Sequence, residues 1–112
     1  MNSMEAAVRV LVDLLVRGEY ATIDRISGGA RISASDLKRA VADYGRVLAA
    51  PGDGWWDDVS VTPIETDGSP SFHIAVPLWT QEEGRSDLTL EVRLDEVAPE
   101  AFETQIEDLH VL

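Results

Sequence analysis

The spacing of apolar residues changes from a helical period to a strand period at residues 50–54, and this change constrains the fold more than any other feature. The segment Ala50-Pro51-Gly52-Asp53-Gly54 is the clearest loop in the sequence, because proline and glycine interrupt both helices and strands. Before it, apolar residues recur every three or four positions, and after it they alternate. With 112 residues, the chain has the length of one domain, residues 1–112.

Three helices are predicted before the loop. The first covers about residues 4–17, where apolar side chains share one face and charged side chains of alternating sign share the other. A shorter helix is expected at about residues 19–26, and Ser27-Gly28-Gly29 should end it. The third begins after Ser33 and should run to about residues 44–48.

Four strands are predicted after the loop, at about residues 59–64, 71–79, 87–95 and 101–111. The middle two alternate between apolar and polar side chains, so each should bury one face. In the last strand, Ile106 and Leu109 have opposite parity, so a regular strand cannot bury both. A β-bulge near Glu107–Asp108, or a bend that covers both faces of the sheet, would resolve this conflict.

The predicted fold is α+β, with three N-terminal helices packed on one face of a four-stranded antiparallel meander sheet. Residues 1–49 are the predicted helical layer, residues 50–58 the linker and residues 59–112 the sheet. The sequence has no cysteine, no secretory signal and no apolar run of the ~18 residues that a membrane span needs. These features predict a cytoplasmic location.

The acidic charge lies almost entirely in the predicted sheet. Residues 1–56 carry seven acidic and seven basic side chains, whereas residues 57–112 carry fourteen acidic side chains against Arg85 and Arg93. The net charge of −12 argues against nucleic acid and membrane surfaces as partners, because both are anionic. It favours a basic protein partner, and the sequence leaves the oligomeric state open.

The sequence contains no phosphate-binding loop, nucleophile elbow or zinc-protease motif. Its two histidines, His73 and His110, lie on predicted strands opposite the main apolar set. A histidine that faces a carboxylate such as Glu91 or Glu107 could act as a general base, although a solvent-facing histidine is the commoner situation. His73, Glu107, Asp108 and His110 also have the residue types of a divalent metal site. Because parity places Glu107 opposite Asp108 and His110, we predict no metal site. We also predict no cofactor and no catalytic residue.

The tryptophans and the outward-facing charged residues are the candidate binding residues. Trp55 and Trp56 are adjacent, so one is expected to close the core while the other stays accessible. Trp79 has the opposite parity to Leu78, which places it on the outer face of the sheet. The predicted binding residues are Trp56, His73, Trp79, Glu91, Arg93, Glu103 and His110.

Two functions of different classes fit these features. The favoured one is a small acidic protein-binding module, similar to bacterial immunity proteins, that docks a basic partner through its sheet face. The alternative is a small-molecule-binding or enzymatic domain with a pocket between the curved sheet and the helices, lined by His73, Trp79, Glu91 and His110. A mimic of DNA is less favoured, because the acidic residues are scattered. Whether the domain is an enzyme stays open, with binding preferred because no catalytic motif is present.

Several sequence blocks resemble a family of small uncharacterised bacterial proteins, of a type common in actinobacteria, that is classed as a domain of unknown function. The blocks are Gly18–Tyr20, Val41–Gly45, Pro77–Thr80, Gly84–Leu90 and Ile106–Leu112. The resemblance implies no catalytic residues. A looser similarity, limited to the first two helices and the general layout, is to nuclear transport factor 2-like (cystatin-like) folds, in which a curved sheet can enclose a pocket.

Overall fold

The structure is a computed structural model that describes residues 2–27 and 32–112. Its elements, in chain order, are α1 (Ser3–Val16), α2 (Tyr20–Ser27), α3 (Ala34–Tyr44), β1 (Leu48–Ala49), a 3₁₀-helix (Trp55–Asp58), β2 (Ser60–Ile64), β3 (Ser71–Thr80), β4 (Gly84–Ala98) and β5 (Ala101–Val111). The predicted α+β class is confirmed, because three helices precede an antiparallel sheet. The predicted break at Gly28-Gly29 lies outside the described residues.

Local hydrogen bonds and one glycine explain where the helices begin and end. The side chain of Asn2 accepts a hydrogen bond of 2.7 Å from the amide of Glu5 at the start of α1. Ser33 accepts an equivalent bond of 3.1 Å at the start of α3. Helix α3 ends at Tyr44 because Gly45 adopts a left-handed conformation, with φ of 76°, that does not continue a helix.

Leu48 and Ala49 form a strand, which corrects the prediction that they belong to the helical layer. Strand β1 pairs antiparallel with the end of β3, with Leu48 opposite Thr80 and Ala49 opposite Trp79. Leu48 is buried in the core, as its apolar character requires, but it reaches the core from the sheet and not from α3. The sheet therefore has five strands where four were predicted.

Strands β3 and β4 form the centre of the sheet. The strand order is β1-β3-β4-β5, and β2 also pairs with β3. Strand β1 pairs with the last residues of β3, whereas β2 pairs with its first half, from Ser60 opposite Ala75 to Ile64 opposite Ser71. Strands β2 to β5 thus form the predicted meander, with β5 at the free edge.

The hydrophobic core lies between the helices and one face of the sheet, which we call the inner face. The sheet residues of this face that are at most 1% exposed are Ile74, Val76, Leu78, Leu88, Leu90, Val92 and Leu94. Helix α1 contributes most of the facing side chains, and Ile23 of α2 and Leu37 of α3 complete the layer. No helix in residues 2–27 or 32–112 is long and apolar enough to cross a membrane.

A β-bulge in β5 resolves the parity conflict seen in the sequence. Ile106 pairs with Val92, and the next pair along the ladder is Asp108 with Glu91, so Glu107 is the extra residue. Because of this insertion, Ile106 and Leu109 both face the core, at 2% and 6% exposure. Of the two predicted solutions, the bulge is the one that the structure adopts.

Candidate functional site

The face of the sheet that points away from the helices carries the candidate site, and we call it the outer face. Its positions alternate with the core positions along each strand. The charged and titratable residues of the outer face in strands β3 to β5 are His73, Arg85, Asp87, Glu91, Arg93, Asp95, Glu103, Glu107, Asp108 and His110. The outer face of these strands therefore carries six carboxylates, two arginines and two histidines.

Glu91 lies between the two histidines at the centre of the outer face. The Nε2 atom of His110 is 2.6 Å from Oε2 of Glu91, and Nε2 of His73 is 3.0 Å from Oε1 of the same carboxylate. Glu91 is in β4, which lies between β3 and β5 in the sheet. His73 of β3 and His110 of β5 therefore contact the same carboxylate from opposite sides. The sequence left the distance between the histidines open, and the structure brings both to one carboxylate.

The bulge in β5 adds two more carboxylates beside the histidines. Oε1 of Glu107 is 3.9 Å from Nε2 of His73, and a carboxylate oxygen of Asp108 lies within 4.8 Å of the facing atoms of Glu91 and His110. The prediction that Glu107 points away from Asp108 and His110 is therefore wrong, because it assumed a regular strand. A bulge reorients consecutive side chains, and here it places both on the outer face. These five residues are the Glu91 cluster.

The hydrogen bond with Glu91 raises the pKa of His110 above that of a free histidine. Partial burial acts in the opposite direction, since it disfavours the charged imidazolium. The carbonyl of Val111 and the charges of Glu91 and Asp108 add to the rise. His110 is therefore protonated to a higher pH than an isolated imidazole, and its positive charge is paired with Glu91.

Arg93 is paired within the outer face. Its Nε atom is 3.0 Å from Oδ1 of Asp95, and the hydroxyl of Ser71 donates a hydrogen bond to the same carboxylate. The Ser71 bond, with a smaller contribution from Arg93, holds the pKa of Asp95 below its usual value against the effect of burial. Glu103 stands opposite Asp95 in the β4–β5 register and is exposed. The pairing of Arg93 leaves the outer face acidic.

The two candidate tryptophans lie apart from the Glu91 cluster. Trp79 is on the same side of the sheet but ~20 Å along β3 from His73, given the rise of a strand. Its ring packs over the loop before the 3₁₀-helix, where a Cβ on Gly52 would come within 3.2 Å of it. Trp55 is buried at 6% exposure, whereas Trp56 is half-buried. The two rings contact each other edge-to-face, with their centroids 5.4 Å apart. One indole of the pair thus closes the core while the other stays accessible, as predicted.

Five grooves on the surface of the described residues lie away from the Glu91 cluster. Five open grooves have volumes of about 310 to 510 Å³, and His73, Trp79, Glu91 and His110 line none of these five. Apolar side chains fill the space between the helices and the inner face. The structure therefore does not bring these four residues into a pocket between sheet and helices, because they lie on the opposite side of the sheet.

The comparisons with known proteins identify a family without a known activity. No curated protein and no solved structure matches the chain, so no comparison supports the expected similarity to nuclear transport factor 2-like folds. A family model described as a domain of unknown function (DUF7668) matches residues 12–112. That range includes all five strands and the whole Glu91 cluster. The predicted resemblance to an uncharacterised family is confirmed, and the chain belongs to the DUF7668 family of domains of unknown function.

Proposed function

We propose that this domain is a small acidic protein-binding module that docks a basic protein through its outer face. The observation that carries the proposal is the charge of this face. Strands β3 to β5 place six carboxylates on it, and its two arginines, Arg85 and Arg93, are already paired with Asp58 and Asp95. A surface of one sign attracts a partner of the opposite sign, which accelerates association and makes it depend on salt. The absence of cysteine favours a cytoplasmic setting for this interaction.

The arrangement of the outer face also fits a docking surface. Its centre, formed by Glu91, Glu107 and the two histidines, is half-buried. Glu91 is held by both histidines, at 2.6 and 3.0 Å, and Glu107 lies 3.9 Å from His73. Glu103 is exposed and free to meet a basic side chain at the rim. Carboxylates that are fixed before binding lose less conformational freedom on association than mobile ones do, so the charges are already placed for a partner.

Matched double variants test the proposal. Glu103→Gln with Glu107→Gln removes two charges from the outer face, and Asp24→Asn with Asp43→Asn removes two exposed charges from helices α2 and α3. Both variants have the same net charge. Proteins from the source organism that bind the wild-type domain at low salt and elute at high salt are identified by mass spectrometry, and their association rates are then measured with purified components.

We expect the outer-face variant to associate several-fold more slowly than the helix variant at low salt, because the steering charge is local to the sheet. The difference should vanish at ~1 M salt, where the screening length is about 3 Å. Equal rates for the two variants at low salt would contradict the proposal, since net charge alone would then explain the attraction. Partners that are all neutral or acidic would contradict it as well.

A further inference from the structure

We propose that the Glu91 cluster binds a divalent first-row transition ion of the Zn²⁺ type through Glu91, Asp108 and His110. One ligand atom from each of these residues lies within 4.8 Å of the other two. Imidazole nitrogen and carboxylate oxygen are both established ligand types for Zn²⁺, and three protein ligands suffice for a site that completes its coordination with water. This proposal concerns a different ligand from the docking proposal and does not depend on it.

The backbone explains why these three side chains converge. Asp108 and His110 are two residues apart in β5 and therefore point to the same face. Glu91 is the register partner of Asp108 in β4, and directly opposed residues have Cβ atoms about 4.5–5.5 Å apart. The ligands thus stand on two paired strands and not on loops, which holds their relative positions. The bulge adds Glu107 to the same face and increases the negative charge around the ion.

Neighbouring hydrogen bonds orient the ligands in the way that is common around protein metal ions. His73 contacts Oε1 of Glu91 at 3.0 Å, which leaves Oε2 to face His110. Nδ1 of His110 is 3.4 Å from the carbonyl oxygen of Val111, so a proton on Nδ1 leaves Nε2 as the metal-binding atom. Oδ1 of Asp108 accepts a bond of 2.9 Å from the next backbone amide, which leaves Oδ2 for the ion.

Charge and access also fit a divalent ion. Oε2 of Glu91 and Nε2 of His110, which are both atoms of types that ligate Zn²⁺, lie 2.6 Å apart. Two carboxylates and a neutral imidazole then balance the two positive charges of the ion. The side chains of Glu91 and His110 are 26% and 36% exposed, and Asp108 is exposed, so the ion has direct access from solvent.

Titration of the purified domain with zinc chloride, followed by calorimetry, tests the site, and visible absorption of added Co²⁺ reports the coordination. We expect one saturable ion per chain in the wild type. Removal of a residue that orients a ligand typically lowers metal affinity roughly 10- to 100-fold, and we expect a loss of affinity in this range for His73→Gln. His110→Gln and Asp108→Asn remove ligands and should each lower the affinity by more than this. Glu103→Gln, which alters the same face outside the cluster, should bind like the wild type.

Circular dichroism of each variant separates loss of the site from loss of the fold, and two independent ligand variants protect against one that fails to fold. The proposal is overturned if the wild type shows no saturable binding, or if folded His110→Gln and Asp108→Asn bind the ion as tightly as the wild type. Docking is measured with the Glu103 and Glu107 variant, so failure of the metal site and failure of the docking face are distinguishable.

Discussion

Leu90 and Glu91 are adjacent in β4, but they belong to two faces of the sheet with different physical properties. Leu90 is 0% exposed and packs in the core between Val76 and Leu109 in the ladder. Glu91 is 26% exposed and lies between two histidines. The inner face derives its stability from burial of apolar surface, whereas the outer face holds a polar network whose net contribution to folding is small. Strand alternation thus separates the residues that maintain the fold from those available for binding.

The largest effect should come from the inner face. Leu90→Ala removes a fully buried side chain from a central strand, and such substitutions typically lower the free energy of unfolding by about 2–5 kcal/mol. Urea denaturation followed by circular dichroism measures the change. A loss of less than ~1 kcal/mol would mean that the inner face relaxes around the cavity, and the contrast with the outer face would then be much weaker than the burial values indicate.

A deletion within β5 should test the bulge. Removal of Glu107 leaves a regular strand in which Ile106 and Leu109 both still face the core, so we expect a change in unfolding free energy below ~1 kcal/mol. Removal of Gln105 instead turns Phe102 outward and Glu103 inward, and should cost more than ~2 kcal/mol. Thermal and urea denaturation of both variants measure these changes. A larger loss of unfolding free energy on deletion of Glu107 than on deletion of Gln105 would contradict the assignment of Glu107 as the extra residue.

The sequence predicted those features of the fold that depend on local periodicity. The three helices, the alternating strands and the parity conflict near Glu107–Asp108, for which a bulge was one of two predicted solutions, each follow from the spacing of nearby side chains. Strand β1 escaped prediction because Leu48 lies four residues after Tyr44, a spacing that also fits the buried stripe of a helix. Only the left-handed conformation of Gly45 separates the two, and glycine within a sequence does not by itself reveal that conformation.

The site was less predictable than the fold, because it depends on register between strands that are distant in sequence. Parity placed His73, Glu91 and His110 on one face, but it gave no distances between them. It also placed Glu107 on the wrong face, since it extended the alternation of Asp108 and His110 back to Glu107 as if there were no bulge. The conflict between Ile106 and Leu109 was the available signal that two consecutive acidic residues share the outer face.

Protonation of Asp95 in acid should lower the free energy of unfolding, but by less than the core substitution Leu90→Ala does. Its pKa is lowered in the folded state, so its contribution to stability is complete above the unfolded pKa of about 3.9 and is lost as the pH falls through the folded value. Asp95→Asn should therefore cost about 1 kcal/mol at neutral pH, allowing for solvent screening, and nothing at a pH below both values. Denaturation at several pH values checks this, and a cost that persists in strong acid would assign the loss to packing instead of charge.

The smallest effect on folding should come from Glu103, and this makes it the sharpest test of the two faces. Its side chain is exposed opposite Asp95, so Glu103→Gln removes a repulsion between like charges on neighbouring strands and should change the unfolding free energy by less than ~0.5 kcal/mol. The same substitution removes one of the charges that would steer a basic partner, so its association rate at low salt should fall although the fold is intact. Urea denaturation and association kinetics on one preparation measure both quantities. A loss of stability above ~1 kcal/mol would show that the outer face supports the fold as the inner face does, and a difference in function between the faces would no longer follow from their structure.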